Sequence, residues 1–115
     1  MKYTGSCHCG KIAFEVEGKI QEALACNCSI CRRKGSLLWF VSRSEFRLLT
    51  PENAVSTYTF HQHVIQHHFC PNCGIHPYAE GKDQRGNAMV AVNIRCLDEF
   101  DLDAIPVKYF DGRTL

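Results

Sequence analysis

Cysteine spacing constrains this chain more than any other feature of its sequence. The chain has 115 residues and eight cysteines. Seven of these cysteines fall in three short clusters: Cys7 and Cys9 in "GSCHCG", Cys26, Cys28 and Cys31 in "CNCSIC", and Cys70 and Cys73 in "CPNCG". A chain of this length buries a modest apolar core, so it needs a further source of stability. Closely spaced cysteines in an even number indicate either a disulfide framework or metal sites.

The compartment decides between these two possibilities. The N-terminal segment lacks the apolar core of a signal peptide, and no apolar run is long enough to cross a membrane. We therefore expect a cytoplasmic protein without a membrane partner, whose cysteines stay reduced and bind metal. A disulfide between residues as close as Cys7 and Cys9 would also be strained. Cys96 has no ligand neighbour, and we expect it to be a buried apolar thiol.

The charge of the chain argues against a nucleic-acid partner. Lys and Arg number 13 against 12 Asp and Glu, which gives a net charge of +1 and no broad basic face. One dense basic run, Arg32, Arg33 and Lys34, follows Cys31 directly. Such a run is usually a solvated surface, but beside three thiolates it can attract carboxylates. We predict that Arg32 and Arg33 bind an anionic substrate that carries a thiol.

Apolar residues recur with a period of two in several short segments, which predicts β-strands. The predicted strands are centred on Ile12, Phe14 and Val16, on Leu38 with Phe40 or Trp39 with Val41, on Tyr58 with Phe60, and on Val90, Val92 and Ile94. No window carries a long apolar stripe at helical spacing. The sequence therefore predicts a mainly β fold of short antiparallel strands with short helical turns, in one domain over residues 1–115.

Two short helices are predicted. The first covers residues 29–34, with Asn27 or Ser29 as its N-cap and Gly35 in the left-handed conformation that ends it. It places Cys28 and Cys31 one turn apart. A second helix is predicted around residues 97–100, although that acidic segment is equally compatible with a loop.

Seven thiolates divide naturally into four plus three. One division joins Cys7, Cys9, Cys70 and Cys73 in a closed structural zinc site and leaves Cys26, Cys28 and Cys31 as a three-ligand site with an open fourth position, which is typical of catalytic zinc. Two alternatives stay open. Cys28 and Cys31 could pair with Cys70 and Cys73 in a zinc ribbon, although the pairs are unusually far apart in sequence. The middle cluster could instead be a structural zinc site completed by a histidine, for which the candidates are His8, His67, His68 and His76.

Four segments, in this order and spacing, resemble the glutathione-dependent formaldehyde-activating enzyme family, which includes centromere protein V. They are "GSCHCGKIAFEVEG", "CNCSICRRKG", "HHFCPNCGIHPY" and "VNIRCLDEFDL". The resemblance implies a β-rich zinc fold called a β-tent and a cytosolic carbon–sulfur lyase. It also implies two zinc ions per chain: a structural zinc at Cys7, Cys9, Cys70 and Cys73, and a catalytic zinc at Cys26, Cys28 and Cys31.

These observations together predict a zinc enzyme that makes or breaks a carbon–sulfur bond. Its partner would be a small thiol such as glutathione, and its substrate a thiol–aldehyde adduct such as S-hydroxymethylglutathione. The alternative is a zinc-stabilised interaction module without catalysis. The fourth ligand of the middle cluster discriminates between them, because a protein side chain there would remove the position for a substrate.

Overall fold

The structure, a computed structural model, describes residues 1–113, so the last two residues of the predicted domain 1–115 lie outside the described range. Residues 1–113 form ten β-strands: β1 (Lys2–Ser6), β2 (Ala13–Glu17), β3 (Ala23–Cys26), β4 (Leu38–Ser42), β5 (Phe46–Leu48), β6 (Ser56–Tyr58), β7 (Gln66–Phe69), β8 (Tyr78–Lys82), β9 (Ala88–Asn93) and β10 (Val107–Phe110). One α-helix, α1, spans Cys31–Lys34 of this range. Short 3-10 turns cover Arg43–Glu45, Glu52–Ala54, Ile94–Cys96 and Leu102–Ala104.

The strands of residues 1–113 form two sheets. The smaller sheet has the order β1-β2-β5, and the larger has the order β10-β3-β4-β9-β8-β7-β6. Neighbouring strands pair antiparallel, apart from β10, which runs parallel to β3. The predicted mainly β class with short helical turns is confirmed.

The core lies where the two sheets meet. Phe14 and Val16 of β2 and Phe46 of β5 are buried from the smaller sheet. The Phe14 and Phe46 rings stack at 5.2 Å, and the Phe46 ring continues to Tyr78 of β8 at 4.6 Å. Val90 of β9 is fully buried in the same cluster. Packing of this kind fixes the relative position of the loops that carry the cysteines.

The alternation within β4 selects one of the two predicted faces. Trp39 and Val41 are buried in the core cluster, whereas on the other face Leu38 is buried outside that cluster and Phe40 is 50% exposed. Trp39 packs edge-on against the ring of Tyr3 at 5.8 Å. The Trp39 and Val41 face is therefore the one that meets the core.

Three strand predictions extend too far. Ile12 is buried but precedes β2, which begins at Ala13. Phe60 lies beyond β6, because its carbonyl accepts the amide of His63 in a turn and its ring stacks on Tyr58 and His67. Ile94 is buried but lies beyond β9, where it begins a 3-10 turn. That turn is capped by the side chain of Asn93, whose Oδ1 accepts the amide of Arg95. Burial at alternate positions thus continues past the end of the hydrogen-bonded strand.

Both helix predictions need correction. The α-helix begins at Cys31, two residues later than predicted, and no side chain caps it. Asn27 cannot act as its cap because the Asn27 Oδ1 accepts the amide of Gly112 at 2.7 Å. The left-handed conformation of Gly35 is confirmed by its φ of 69°.

The second predicted helix, at residues 97–100, is absent from the part of the chain that the structure describes. Leu97 forms a β-bridge with Gly5, and the following two residues form a turn. The loop alternative for this acidic segment is therefore correct. Among residues 1–113, no helix combines the length and the apolar character that a membrane crossing requires.

Candidate metal centres

The first and third cysteine clusters meet in space and form one group, which we call site 1. It consists of Cys7, Cys9, Cys70 and Cys73, whose four sulfur atoms all lie within 4.8 Å of one another. Cys7 and Cys9 follow β1, and Cys70 follows β7. The Sγ atoms of Cys9 and Cys70, which are far apart in sequence, are separated by 3.6 Å. Site 1 therefore ties the N-terminal hairpin to the loop between β7 and β8.

Backbone amides point at the sulfur atoms of site 1. The Ile12 amide donates to Cys7 Sγ at 3.3 Å, and the amides of Asn72 and Cys73 donate to Cys70 Sγ at 3.4 Å. Hydrogen bonds, of which the one from the Ile75 amide contributes most, lower the pKa of the Cys73 thiol to about 6. Gly74, with φ of 81°, permits the tight turn of this loop. Amide donors stabilise thiolates, which are the form of cysteine that binds metal.

The spacing of the sulfur atoms in site 1 fits a tetrahedral metal. Zinc–sulfur bonds of about 2.3 Å in a tetrahedron place neighbouring sulfur atoms about 3.8 Å apart. The Cys7–Cys9 and Cys9–Cys70 sulfur distances are 3.7 Å and 3.6 Å. All eight cysteines are free thiols, so these distances are not covalent contacts. Site 1 could thus hold a metal ion without rearrangement of its loops.

The middle cluster forms a second group, which we call site 2. It consists of Cys26 at the end of β3, Cys28 in the following turn and Cys31 at the start of α1, and their three sulfur atoms lie within 4.8 Å of one another. The Cys28 amide donates to Cys26 Sγ at 3.4 Å. Burial first, and then the neighbouring Cys28, raise the pKa of Cys31 to about 12. A cation is what would allow three such close thiols to ionise together.

Site 2 remains a group of three. No histidine, aspartate or glutamate of residues 1–113 joins either group of sulfur atoms. The fold does not form the zinc ribbon, which would join Cys28 and Cys31 to Cys70 and Cys73. Instead, Cys70 and Cys73 lie with Cys7 and Cys9. Both groups could hold metal ions, site 1 with four sulfur ligands and site 2 with three.

The segment after β10 forms a wall of site 2. An ideal Cβ built on the buried Gly112 would lie 2.8 Å from Cys26 Sγ and 3.2 Å from the Cβ of Cys28. Such a contact is closer than van der Waals packing permits, so only glycine fits here without a shift of the cysteines. The backbone amide of Gly112 donates to Asn27 Oδ1, and this hydrogen bond holds Gly112 in place. Neither Gly112 nor Asn27 was identified as a site residue from the sequence, because no local signal indicates this contact.

Two of the three residues of the basic run after Cys31 line a cleft. Arg33 and Lys34 line a cleft of about 540 Å³ with Ile30, Tyr58, Phe69, Gly74 and His76. Arg32 and Arg33 are both exposed, and Arg32 does not line this cleft. No cysteine of site 2 lines the cleft, but Lys34 lies close enough to Cys31 and Cys28 for them to raise its pKa, so the cleft adjoins site 2 at Lys34. The structure therefore directs Arg33 and Lys34, rather than Arg32, towards a candidate ligand site.

Two histidines border Lys34. The Lys34 ammonium donates to Nδ1 of His67 at 3.3 Å. Burial, with a contribution from Lys34, lowers the pKa of His67 to about 4, and burial also lowers the pKa of His76. Both imidazoles are therefore neutral near pH 7. The Nδ1 atom of His76 is buried and has no hydrogen-bond partner among residues 1–113.

The remaining candidates lie outside both groups. His68 is held between Thr57 Oγ1, at 2.8 Å from its Nδ1, and Glu80 Oε1, at 3.0 Å from its Nε2. His8 is exposed. Cys96 is partly buried against the core, and burial raises its pKa to about 11. Cys96 joins neither group of sulfur atoms, as expected, but it is partly buried where a buried thiol was predicted.

The fold and the cysteine groups define a mainly β protein with two candidate metal centres. The family described as glutathione-dependent formaldehyde-activating enzyme matches residues 2–110, and the chain belongs to this family. The fold is similar to that of a crystal structure of a Rhodobacter sphaeroides protein determined in a structural genomics programme. The TM-score is 0.78 at 27% sequence identity, and the match covers 91% of this chain and 99% of that chain.

Proposed function

We propose that the chain is a zinc-dependent carbon–sulfur lyase that acts on a thiol–aldehyde adduct. The family description supports glutathione as the thiol and formaldehyde as the aldehyde. Site 1 would hold a structural zinc through Cys7, Cys9, Cys70 and Cys73, and site 2 would hold the catalytic zinc through Cys26, Cys28 and Cys31. The observation that carries the proposal is that site 2 has three sulfur atoms and no fourth side chain among residues 1–113.

The reaction joins or separates a thiol and a carbonyl carbon. In the forward direction the sulfur gives up its proton and forms a bond to carbon, and the carbonyl electron pair moves to oxygen, which takes up a proton. The reverse direction breaks the same bond and releases aldehyde and thiol. A zinc ion bound at site 2 would supply Lewis acidity that favours the ionised form of an incoming thiol.

The chain's own residues bind and position the substrate. Arg33 and Lys34 attract a carboxylate to the cleft beside site 2. Gly112 leaves room against Cys26, and the loops that carry the cysteines are fixed by the core between the two sheets. The proposed sites need reduced thiols, which a cytoplasmic location would maintain.

The test is a thiol titration of protein in which cobalt replaces zinc. A thiol that enters site 2 should ionise, release a proton and change the thiolate-to-cobalt charge-transfer spectrum. Mercaptoethanol, which is neutral, is used beside glutathione so that the result does not depend on the charge of the thiol. Cys31→Ser should remove the response, whereas Cys96→Ser, which changes a cysteine outside both groups, should retain it. No spectral change with either thiol, in protein with metal at site 2, would contradict the proposal and favour an interaction module.

A further inference from the structure

The cleft beside site 2 is larger than the reaction requires. Formaldehyde has one carbon and no charge, yet the cleft has about 540 Å³ and two cationic side chains. Volumes of several hundred Å³ are typical of sites for small organic molecules. The residues that line the cleft therefore indicate the chemistry of the rest of the substrate.

The two cations in the cleft lack acidic partners. Within residues 1–113, neither Arg33 nor Lys34 forms an ion pair with a carboxylate. Arg33 donates through Nη1 to the Ser29 carbonyl at 2.6 Å, and Lys34 donates to His67. Each side chain keeps further N–H groups that can donate to a ligand. Burial lowers the pKa of Lys34, and the neighbouring Cys31 and Cys28 act in the opposite direction and raise it.

His67 directs the ammonium of Lys34. A protonated lysine has no acceptor, so a neutral His67 must accept the hydrogen bond at Nδ1. This contact leaves Lys34 less free to turn away from the cleft. The positive charge of the cleft therefore comes from Lys34 and Arg33, while the neighbouring His76 is neutral near pH 7.

The rest of the lining is apolar and aromatic. Ile30, Tyr58 and Phe69 contribute to the walls, and no Asp or Glu of residues 1–113 lines the cleft. An ammonium group in the cleft would lie near two cations without an acidic partner, which is unfavourable. A carboxylate, in contrast, would form charge-assisted hydrogen bonds to both cations.

We infer that this cleft selects a substrate with a carboxylate on an apolar body and without an ammonium group in the part that enters the cleft. The inference rests on the proposed function, because it assigns to this cleft the part of the substrate next to the sulfur that would react at site 2. For glutathione, the glycyl end rather than the γ-glutamyl end would occupy the cleft. An apolar or aromatic mercapto-acid adduct meets the same requirement.

The experiment measures binding of three ligands with one phenyl body to the zinc-loaded protein by calorimetry. They are 3-phenylpropionate, phenylalanine, which adds an α-ammonium group, and 3-phenylpropanol, which has no charge. We expect 3-phenylpropionate to bind about tenfold or more tightly than the other two, which corresponds to one charge-assisted contact. None of the three contains a thiol or an aldehyde, so the result is independent of the cobalt titration with mercaptoethanol.

Two variants test the assigned cations. Lys34→Met and Arg33→Met keep much of the side-chain length and should each weaken 3-phenylpropionate binding about tenfold. Arg32→Met removes the neighbouring exposed cation and should leave the dissociation constant unchanged. Equal binding of phenylalanine and 3-phenylpropionate to the unmodified protein would overturn the inference, as would no binding of 3-phenylpropionate at millimolar concentrations. So would full binding by a folded Lys34→Met protein.

Discussion

The ammonium nitrogen of Lys34 lies 3.3 Å from Nδ1 of His67. This contact connects α1, which begins at Cys31 of site 2, with β7, which leads into Cys70 of site 1. His67 is 5% exposed and its ring also stacks on Phe60. The two candidate metal centres are therefore joined by a polar contact that contains none of the cysteines.

The low pKa of His67 predicts a pH-dependent contribution to stability. Its pKa is about 4 in the folded protein because of burial first, and then because of Lys34, His76 and His68, against an unperturbed value of 6.5. Above pH 6.5 the residue is neutral in both states and its contribution is fully present. As the pH falls from 6.5 towards 4, only the unfolded state takes up the proton, so the folded state loses stability.

His67→Gln tests this pH dependence, since glutamine retains an acceptor for Lys34. At pH 7 we expect the substitution to lower the free energy of unfolding by about 1 kcal/mol. This difference should shrink or reverse as the pH falls from 6.5 to 4. Denaturant unfolding of both proteins across this pH range measures the difference in their free energies of unfolding. Protonation of the cysteines affects both proteins alike, so it largely cancels in this difference. A constant difference would contradict the assigned pKa.

Site 1 is expected to contribute more to stability than site 2. Cys70 is 0% exposed and its sulfur lies 3.6 Å from that of Cys9, so a metal at site 1 would close a long loop. Cys70→Ser should therefore lower the free energy of unfolding by about 3 kcal/mol or more. Cys26→Ser should mainly weaken metal binding at site 2, whose cysteines are close in sequence. Thermal unfolding and metal analysis of both variants measure these effects, and equal losses of stability would contradict the division of roles.

Two zinc ions per chain are expected in gently purified protein. The two groups of sulfur atoms are separate, and each meets the distance condition for one ion. Chelation should remove the site 2 ion first, because that site has one ligand fewer, and removal of the second ion should loosen or unfold the domain. Metal analysis combined with circular dichroism during chelation follows both steps. Well under one zinc per chain would contradict this prediction.

Gly112 is expected to control metal binding at site 2 through its lack of a side chain. In Gly112→Ala the new Cβ would displace Cys26, because it lies 2.8 Å from that sulfur. We expect about tenfold weaker metal affinity at site 2, comparable to loss of a supporting contact, while site 1 remains loaded. Competition with a chromophoric chelator measures both affinities.

Gly81→Ala is the matched control for that substitution. Its Cβ would meet the Ile65 Cγ1 at 3.6 Å, which is an ordinary van der Waals distance. The affinity of site 2 should be unchanged in this variant. Unaltered site 2 affinity in Gly112→Ala as well would show that the C-terminal segment does not shape the site.

Local features of the fold could be predicted because they depend on residues close in sequence. Period-two burial at Phe14 and Val16 identified β2, and Gly35 identified the end of α1. The errors also have local causes. Asn27 can cap a helix, but in this fold its side chain binds Gly112 instead. Ile94 continues the buried alternation although the strand has ended.

The sequence by itself determined the mainly β class, the three cysteine clusters and the count of seven thiolates. It left open which clusters meet, because periodicity and spacing report the burial of one segment and not its neighbours. The tertiary structure decided that Cys9 lies beside Cys70, that the parallel pairing of β10 with β3 brings Gly112 against Cys26, and that Lys34 meets His67. These contacts join residues far apart along the chain, so they form only when the two sheets pack around their common core.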